Sequence, residues 1–184
     1  MRKIVYGINL TIDGYCDHTS VTGSESVHQY FTRLMQEAGL IIYGRKTYEL
    51  MVPYWPDVAR NQNGKTTELD FARAFNAVEK VVFSTSLEAV GENTRLFRSN
   101  LKEEVLKLKQ EPGKVISVGG VDLPTQLIAM GLVDEFHFVI HPVIAGKGRR
   151  LFDNTAMDRL DLRLVQTKNL EGGAVALHYV SAEG

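Results

Sequence analysis

The amino-acid sequence predicts a three-layer α/β fold in which a mixed, mostly parallel sheet lies between two layers of helices. Through residue 131, short β-branched runs alternate with segments of helical apolar spacing, which is typical of parallel strands joined by helices. After residue 131, three strand-like runs follow with only loops between them, which indicates antiparallel strands at the C-terminal edge. The 184 residues are 44% hydrophobic, enough for one core, so we predict a single domain over residues 1–184.

The first part of the chain predicts strands and helices in alternation. These elements are a strand over 3–10, a helix over 25–38, a strand over 40–43, a helix over 45–51, a helix over 68–77 and a strand over 80–83. The helix over 25–38 carries an apolar stripe that predicts packing against the sheet, and Gly39 is expected to end it. Pro53 and Pro56 are expected to stop the helix that begins at Arg45, because proline removes a backbone donor. We therefore predict an exposed excursion over 53–67.

The second part of the chain predicts one more helical unit and then a strand-rich tail. Its elements are an amphipathic segment over 101–109, a strand over 115–118, a helix over 123–130, and strands over 133–140, 162–167 and 174–180. Asp122 is the predicted N-cap of the helix over 123–130, and Pro124 is tolerated in its first turn. Gly172 and Gly173 predict a tight turn between the last two strands.

Charge and composition exclude several classes of function. The 21 basic and 22 acidic residues nearly cancel, so the chain lacks the broad positive field of a nucleic-acid or anionic-membrane binder. Cys16 is the only cysteine, which excludes an internal disulfide framework and fits a cytoplasmic protein. Asn9 and Thr11 interrupt the first apolar run, so we interpret that run as a strand and not as a signal peptide. No stretch approaches the roughly 18 apolar residues of a membrane span.

Four polar or glycine-rich segments directly follow predicted parallel strands, which is where such sheets bind ligands. They are Asp13-Gly14, Gly44-Arg45-Lys46-Thr47, Ser84-Thr85 and Gly119-Gly120. The second segment places two cations and a hydroxyl at a helix start, where free N–H groups and the helix dipole favour a phosphate. The fourth lets the backbone approach a pyrophosphate closely. Two anion sites on one sheet indicate a dinucleotide, and the cations with the hydroxyls of Ser84-Thr85 favour NADP over NAD.

Each of these segments taken singly is as ordinary as a turn or a solvated helix start, and only their joint placement points to a cofactor. Other ligand motifs fit less well. Gly39 and Gly44 have P-loop spacing, but the lysine comes one place late and a strand lies between the glycines. Gly119-Gly120 lacks the third glycine of a dinucleotide fingerprint and the acid expected about 20 residues later. His137 and His141 lie about 13 Å apart on one strand face, too far to bind one metal. We assign them to packing or surface and predict no metal site.

Together these segments resemble the dihydrofolate-reductase-like superfamily. The resemblance is closest to the C-terminal reductase domain of the bifunctional riboflavin-biosynthesis deaminase-reductase and its stand-alone relatives. It covers nearly the whole chain and is carried by residues 9–14, 40–48, 81–87, 116–120 and 133–152. It implies a dihydrofolate-reductase-like fold, an NADPH cofactor and a homodimer. It also implies that the cofactor is bound by Ile12, Asp13, Gly14, Gly44, Arg45, Lys46, Thr47, Ser84, Thr85, Ser86, Val118, Gly119, Gly120, Val121 and Leu123.

The same resemblance implies a reductase that transfers hydride from NADPH to a C=N or C=O carbon of a pterin- or aminopyrimidine-like small molecule. The 5-amino-6-(5-phosphoribosylamino)uracil reductases of riboflavin biosynthesis are the type. Asn9, His28 and Tyr48 are the candidate catalytic residues, with His28 as proton donor or substrate contact. Dihydrofolate reductases carry a carboxylate at the place where this chain has His28, so dihydrofolate reduction is expected to be weak at most. A non-catalytic NADP-binding or structural homodimer is the other alternative.

Overall fold

Eight strands and five α-helices make up most of the chain that the computed structural model describes, namely residues 1–16, 23–62, 64–153, 157 and 159–182. The strands are β1 (Ile4–Thr11), β2 (Ala38–Gly44), β3 (Glu79–Phe83), β4 (Thr94–Phe97), β5 (Val115–Val118), β6 (Glu135–His141), β7 (Leu162–Asn169) and β8 (Val175–Ser181). The helices are α1 (Glu25–Glu37), α2 (Arg45–Asn61), α3 (Thr66–Ala77), α4 (Leu101–Gln110) and α5 (Asp122–Ala129). None of these helices is long and apolar enough to cross a membrane.

The strands form one sheet in the order β4-β3-β2-β5-β1-β6-β8-β7. Strands β1 to β6 all run parallel to one another. Strand β8 is antiparallel to both β6 and β7, and the positive φ angles of Gly172 and Gly173 make the turn between β7 and β8. The predicted mixed sheet with an antiparallel C-terminal edge is therefore confirmed. Because six strands share one direction, their carboxyl ends lie along the same edge of the sheet.

Strand β2 shows why the fold has three layers. Its side chains alternate between the two faces: Leu40 and Ile42 belong to a core that includes α4 and α5, whereas Ile41 and Tyr43 belong to a core that includes α1, α2 and α3. All four side chains are buried, and full burial of each stabilises the fold by about 1.5–3 kcal/mol. The predicted helices on both faces are confirmed.

Helix α2 does not stop at its prolines. It continues through Pro53 and Pro56 to Asn61, so the predicted end before Pro53 and the predicted excursion over 53–67 are wrong. The second half of the helix packs on α3, with the rings of Trp55 and Phe71 4.5 Å apart between centroids. This packing offsets the roughly 3 kcal/mol that an interior proline costs a helix, since tertiary contacts supply most helix stability in proteins.

Two further local predictions differ from the structure. Strand β4 was not predicted, because its four half-buried residues carry little apolar signal; it is held at the sheet edge partly by Phe97, which stacks on Phe83 with centroids 5.3 Å apart. The N-cap of α5 is Val121 and not Asp122. Asp122 is the first helical residue, and its carboxylate forms a salt bridge with Arg149.

Candidate functional site

A cleft of about 1210 Å³ follows the carboxyl edge of the parallel strands. Each of the six parallel strands contributes a lining residue near its carboxyl end, namely Asn9, Gly44, Ser84, Arg98, Gly119 and His141. This is where α/β sheets bind ligands. Single small-molecule sites commonly have roughly 300–1,000 Å³, so the cleft has room for a cofactor and a second small molecule.

The cleft has two chemically different halves. The polar half consists of strand ends and helix starts and is lined by residues 44–47, 84–86, 98–101 and 119–123 together with Gln126 and Arg149. The apolar half lies between β1 and the helices on one face and is lined by Gly7, Ile8, Asn9, Gly23, His28, Phe31, Leu34, Met35, Leu50, Met51, Trp55 and Phe71. Of the fifteen predicted cofactor residues, the twelve outside residues 12–14 all line the cleft, in the segments 44–47, 84–86 and 118–123.

Two glycines bring the predicted anion segments into one wall of the polar half. Gly120 has a φ of +92°, and a Cβ atom added there would overlap the Thr47 side chain. A Cβ atom at Gly119 would lie 2.5 Å from Cε1 of Tyr43. Both glycines are thus required by close packing on β2 and on the start of α2. The same packing places residues 119–120 directly beside Thr47.

The start of α5 supplies backbone donors to the polar half. The first N–H groups of any helix have no intrahelical acceptor and carry the positive end of the helix dipole. Tyr6 fixes this turn from below, since its hydroxyl donates to the carbonyl oxygen of Gly120 at 2.9 Å. Asp122 lies at the mouth, where hydrogen bonding and charge attraction from Arg149 lower the pKa of its carboxyl group. A bound phosphate would therefore meet N–H groups, one carboxylate and one guanidinium.

The remaining side chains of the polar half are cations and hydroxyls. Arg45 is exposed and pairs with Glu49 at 3.0 Å, within the same helix, so it is held at the cleft by a weak contact. Lys46 is exposed beside it and Thr47 is half-buried. The hydroxyl oxygen of Ser84 accepts hydrogen bonds from the N–H groups of Ser86 and Leu87 at 3.2 and 3.0 Å. The same hydroxyl lies 3.5 Å from the Ser86 hydroxyl, and its O–H group can donate to that oxygen or to a ligand in the cleft.

Polar atoms in the apolar half are few. The Nε2 atom of His141 lies 2.8 Å from Oδ1 of Asn9, and burial lowers the pKa of His141. A neutral ring that donates from Nε2 leaves the amide N–H groups of Asn9 to donate to a ligand. His28 also lines this half and packs against Gly23, where a Cβ atom would lie 2.7 Å from its Nε2 atom. These are the groups here that can exchange hydrogen bonds with a substrate ring.

Four of the predicted site residues do not line the cleft. Tyr48 is buried and does not line the cleft, and its hydroxyl accepts a hydrogen bond from the N–H of Gly91 at 2.9 Å. Ile12, Asp13 and Gly14 form a turn after β1 that faces the loop over 142–152. This turn lies beside the cleft and not in its wall.

Asp13 is used inside that turn. Its carboxylate accepts hydrogen bonds from Thr11 Oγ1 at 2.6 Å and from the N–H groups of Gly146 and Ala145 at 2.8 and 3.1 Å. These hydrogen bonds, the one from Thr11 foremost, lower the pKa of Asp13 to about 2. The carboxylate therefore fastens two loops together, which is a structural task.

Sequence reasoning missed several lining residues. Residues 98–101 follow β4, which was not predicted, and Arg149 comes from a loop that carries no ligand signature. Trp55 was placed in an excursion but lies in a helix, and His141 was assigned to packing or surface but lines the cleft. Only His141 carried a usable signal, because it directly follows a predicted strand as the other site segments do. That strand was predicted to pair antiparallel with its neighbours, whereas β6 runs parallel to β1 and so brings His141 to the same edge of the sheet.

Comparisons with known proteins agree with this fold. The chain matches the family described as the RibD C-terminal domain over residues 2–176. The uncharacterized protein YyaP of Bacillus subtilis (strain 168) is 32% identical over 182 residues, which is 97% of this chain and 94% of YyaP. A solved structure of a candidate riboflavin biosynthesis protein from Shewanella sp. PV-4 matches with a TM-score of 0.75 and 17% identity over 100% of both chains. A pyrimidine reductase-like protein (DIP1392) of Corynebacterium diphtheriae matches with a TM-score of 0.68 and 16% identity, over 100% of this chain and 93% of the other.

Proposed function

We propose, because the chain belongs to the family of the RibD C-terminal domain, that this protein is an NADPH-dependent reductase of a pterin- or aminopyrimidine-like small molecule. The riboflavin-type reduction of an aminopyrimidine is the model for the reaction. The observation that supports the proposal is the convergence of residues 44–47, 84–86 and 119–123 in one cleft. Turns that served only to connect elements would seldom place two helix starts, cations and hydroxyls together at one edge of a sheet.

The residues of the polar half fit a dinucleotide phosphate. Residues 120–123 would hold the pyrophosphate with backbone N–H groups at the start of α5, where a helix dipole favours an anion. Arg45, Lys46, Thr47 and Ser84 would bind the ribose 2′-phosphate through charged and hydroxyl donors. The cofactor, when bound, supplies the hydride. The chain itself binds the cofactor and the acceptor, orients them toward each other, and excludes water from between them.

The apolar half would hold the acceptor. Asn9 presents amide donors to a ring carbonyl or carboxamide, held in place by His141 at 2.8 Å. His28 lines the same half and is the candidate group to deliver a proton to the reduced C=N or C=O group. Measuring turnover of a His28→Gln variant tests this role: unchanged kcat and KM would end it.

The cofactor proposal is tested by measuring NADPH and NADH affinities of an Arg45→Ala variant. We expect a loss of about 1.5–3 kcal/mol in NADPH binding, as for a charge-assisted hydrogen bond, and a smaller loss for NADH. Arg60→Ala is the matched control, because Arg60 lies in the last turn of the same helix, outside the cleft. Equal losses for both cofactors would show that Arg45 does not read the 2′-phosphate.

A non-catalytic NADP-binding protein is the competing proposal. It predicts normal NADPH binding without NADPH oxidation in the presence of pterins, aminopyrimidines or cyclic imines. Weak dihydrofolate reduction is the other alternative activity. The presence of His28 in place of a carboxylate argues against dihydrofolate reduction as the main activity.

We further propose a cytoplasmic, single-domain protein that acts as a homodimer. The lone cysteine fits a reducing compartment. Strand β7 is an edge strand whose residues Leu164 and Val165 are each 48% exposed, and such edges are usually covered. Sedimentation of a species of 20.6 kDa alone would reject the dimer.

A further inference from the structure

A cluster of three metal-ligating side chains lies outside the cleft, where β6 pairs with β8. Glu135 and His137 are two residues apart on β6, so their side chains share one face of the sheet. His178 of β8 is directly opposite His137. One ligand atom from each of the three side chains lies within 4.8 Å of the other two. None of the three lines the cleft, so the cluster is separate from the proposed cofactor site.

The His137 ring has one nitrogen in use and one that is not. The residue is 7% exposed, and its Nδ1 atom lies 2.6 Å from the Tyr30 hydroxyl of α1. Its Nε2 atom has no hydrogen-bond partner among the residues that the structure describes. In the tautomer whose Nδ1–H donates to Tyr30, Nε2 carries a lone pair, and such a hydrogen bond is how metal-binding histidines are normally held. The buried ring thus offers an oriented ligand atom.

Glu135 and His178 already have a spacing that suits a metal. The Nε2 atom of His178 lies 3.2 Å from Oε2 of Glu135. Two ligands of a tetrahedral site with bonds of about 2.0–2.1 Å are roughly 3.3 Å apart. The side chains of His178 and Glu135 are 20% and 18% exposed, so an ion can reach them from solvent, and water can complete its coordination.

Binding requires the His178 ring to turn. The two imidazole rings are stacked with centroids 4.1 Å apart and an interplanar angle of 13°, so their lone pairs lie in nearly parallel planes. Tyr30 holds the ring of His137, whereas the χ2 torsion of a histidine has only a broad preference, and His178 can rotate toward its neighbour. Lys3 contacts the other carboxylate oxygen of Glu135 at 2.7 Å, and its ammonium group competes with a metal for that carboxylate.

We propose that Glu135, His137 and His178 bind one Zn²⁺ ion, with two imidazole nitrogens, one carboxylate and water as its ligands. Imidazole and carboxylate donors with an open position are typical of zinc, whereas Mg²⁺ prefers oxygen ligands alone. The ion fastens β8 to β6. The prediction of no metal site considered His137 only with His141 on the same strand; its contact with His178 depends on the register between two strands.

Calorimetric titration of the untagged protein with ZnCl₂ tests the proposal, and MgCl₂ is the control ion. We expect one Zn²⁺ per chain and no Mg²⁺ binding. Zn²⁺ should also raise the melting temperature above that in EDTA, because it binds the folded state. Tyr30→Phe keeps the ring and removes the hydroxyl, so Zn²⁺ affinity should fall by about 10–100-fold, as for other outer-shell partners. His178→Gln removes a ligand and should cost more than about 100-fold, beyond that outer-shell range.

A substitution at Lys3 should act in the opposite direction. Lys3→Met removes the competing cation, and the side chain is 61% exposed, so the variant should fold normally and bind Zn²⁺ up to about 5-fold more tightly, within the worth of an exposed ion pair. Lys168→Met is the matched control, since Lys168 is an exposed lysine of β7, and should leave the affinity unchanged. A polar network without a metal role would show no gain in Lys3→Met, and that result would remove Glu135 from the site and with it the proposal.

The absence of saturable Zn²⁺ binding by the unmodified protein would overturn the proposal. Zn²⁺ binding of undiminished affinity in His178→Gln would do the same, because the ion would then be bound elsewhere on the chain. NADPH binding is measured separately, and the proposed reductase function stands or falls on that measurement alone.

Discussion

The polar half of the cleft is made of helix starts and strand ends, whereas the apolar half is made of helix sides. Residues 44–47 and 119–123 place backbone donors and the exposed charged side chains of Arg45, Lys46 and Asp122 at the edge of the sheet. Phe71 and Met35 in the apolar half belong to a buried core cluster. The exposed charged side chains of the polar half can therefore be changed with small effects on stability. Buried side chains of the apolar half are part of the core, so changing them lowers the free energy of unfolding.

The largest stability effect should come from the apolar half. Phe71→Ala should lower the free energy of unfolding by about 3–4 kcal/mol, because it removes a buried ring and leaves a cavity beside Trp55. Urea unfolding measures the loss. Phe152→Ala is the control, since Phe152 is 39% exposed and should cost less than about 1 kcal/mol. Similar losses in the two variants would contradict the view of the apolar half as core.

Substitutions in the polar half should affect NADPH affinity more than they affect the stability of the fold. Gly120→Ala introduces about 1–2 kcal/mol of strain at a positive φ and also displaces Thr47, so NADPH affinity should fall by more than about 10-fold. Gly131→Ala controls for the strain, because Gly131 also has a positive φ but nothing within 4 Å of an added Cβ atom. NADPH titration of both variants, beside their melting temperatures, checks the prediction. Equal affinities would show that the wall between Thr47 and Gly120 plays no part in binding.

His137 lies in neither half and gives a reference for a change in stability without a change in binding. Its Nδ1 atom is 2.6 Å from the Tyr30 hydroxyl, and its ring stacks on that of His178 with centroids 4.1 Å apart. Burial first, and His178 next, lower the pKa of His137 to about 4. The neutral form is thus favoured in the folded protein.

That shift predicts how stability depends on pH. The unfolded chain takes up a proton at His137 near pH 6.5, whereas the folded protein takes it up only near pH 4. The free energy of unfolding should therefore fall between pH 6.5 and 4, by on the order of 1 kcal/mol from this residue, and level off below. His137→Gln keeps a partner for Tyr30 and should flatten this slope in urea unfolding, with NADPH affinity at pH 7 unchanged. An identical slope in the variant would assign the pH dependence to other groups.

The smallest effect is expected at the mouth of the polar half. Asp122 places a carboxylate near the start of α5, where it repels a phosphate and also pairs with Arg149. Asp122→Asn should tighten NADPH binding by about 0.5–1 kcal/mol, because it removes a partly exposed like charge and releases Arg149. Titration at low and high salt checks this, since the gain should shrink at high ionic strength. Weaker binding in the variant would mean that the pair itself shapes the site.

Much of the fold could be predicted because local signals agreed with one another. Apolar spacing in 25–38 and the alternation of strands and helices pointed to the same three layers. Helix α2 could not be predicted beyond Pro53, because its second half depends on Trp55 packing against Phe71, a contact between residues 16 positions apart. Strand β4 depends on pairing with β3 and on stacking between Phe83 and Phe97. Neither contact can be predicted from the local sequence pattern.

The cleft-lining residues at strand ends could be predicted from the sequence, whereas those on the sides of helices could not. Residues 44–47, 84–86 and 119–120 were found because ligands bind at the ends of parallel strands. Tyr48 was misplaced because helical phase alone did not show that its hydroxyl turns toward Gly91. The aromatic side chains of the apolar half were missed because the sequence does not distinguish an apolar side chain that lines a cleft from one that fills a core.

A crystal structure of the protein with bound NADP⁺ tests the central claim most directly. We predict the pyrophosphate within hydrogen-bond distance of the N–H groups at residues 120–123, the 2′-phosphate beside Arg45 and Thr47, and the nicotinamide facing Asn9 and the apolar half. A cofactor bound elsewhere on the protein, or one whose phosphates touch none of these residues, would contradict the account.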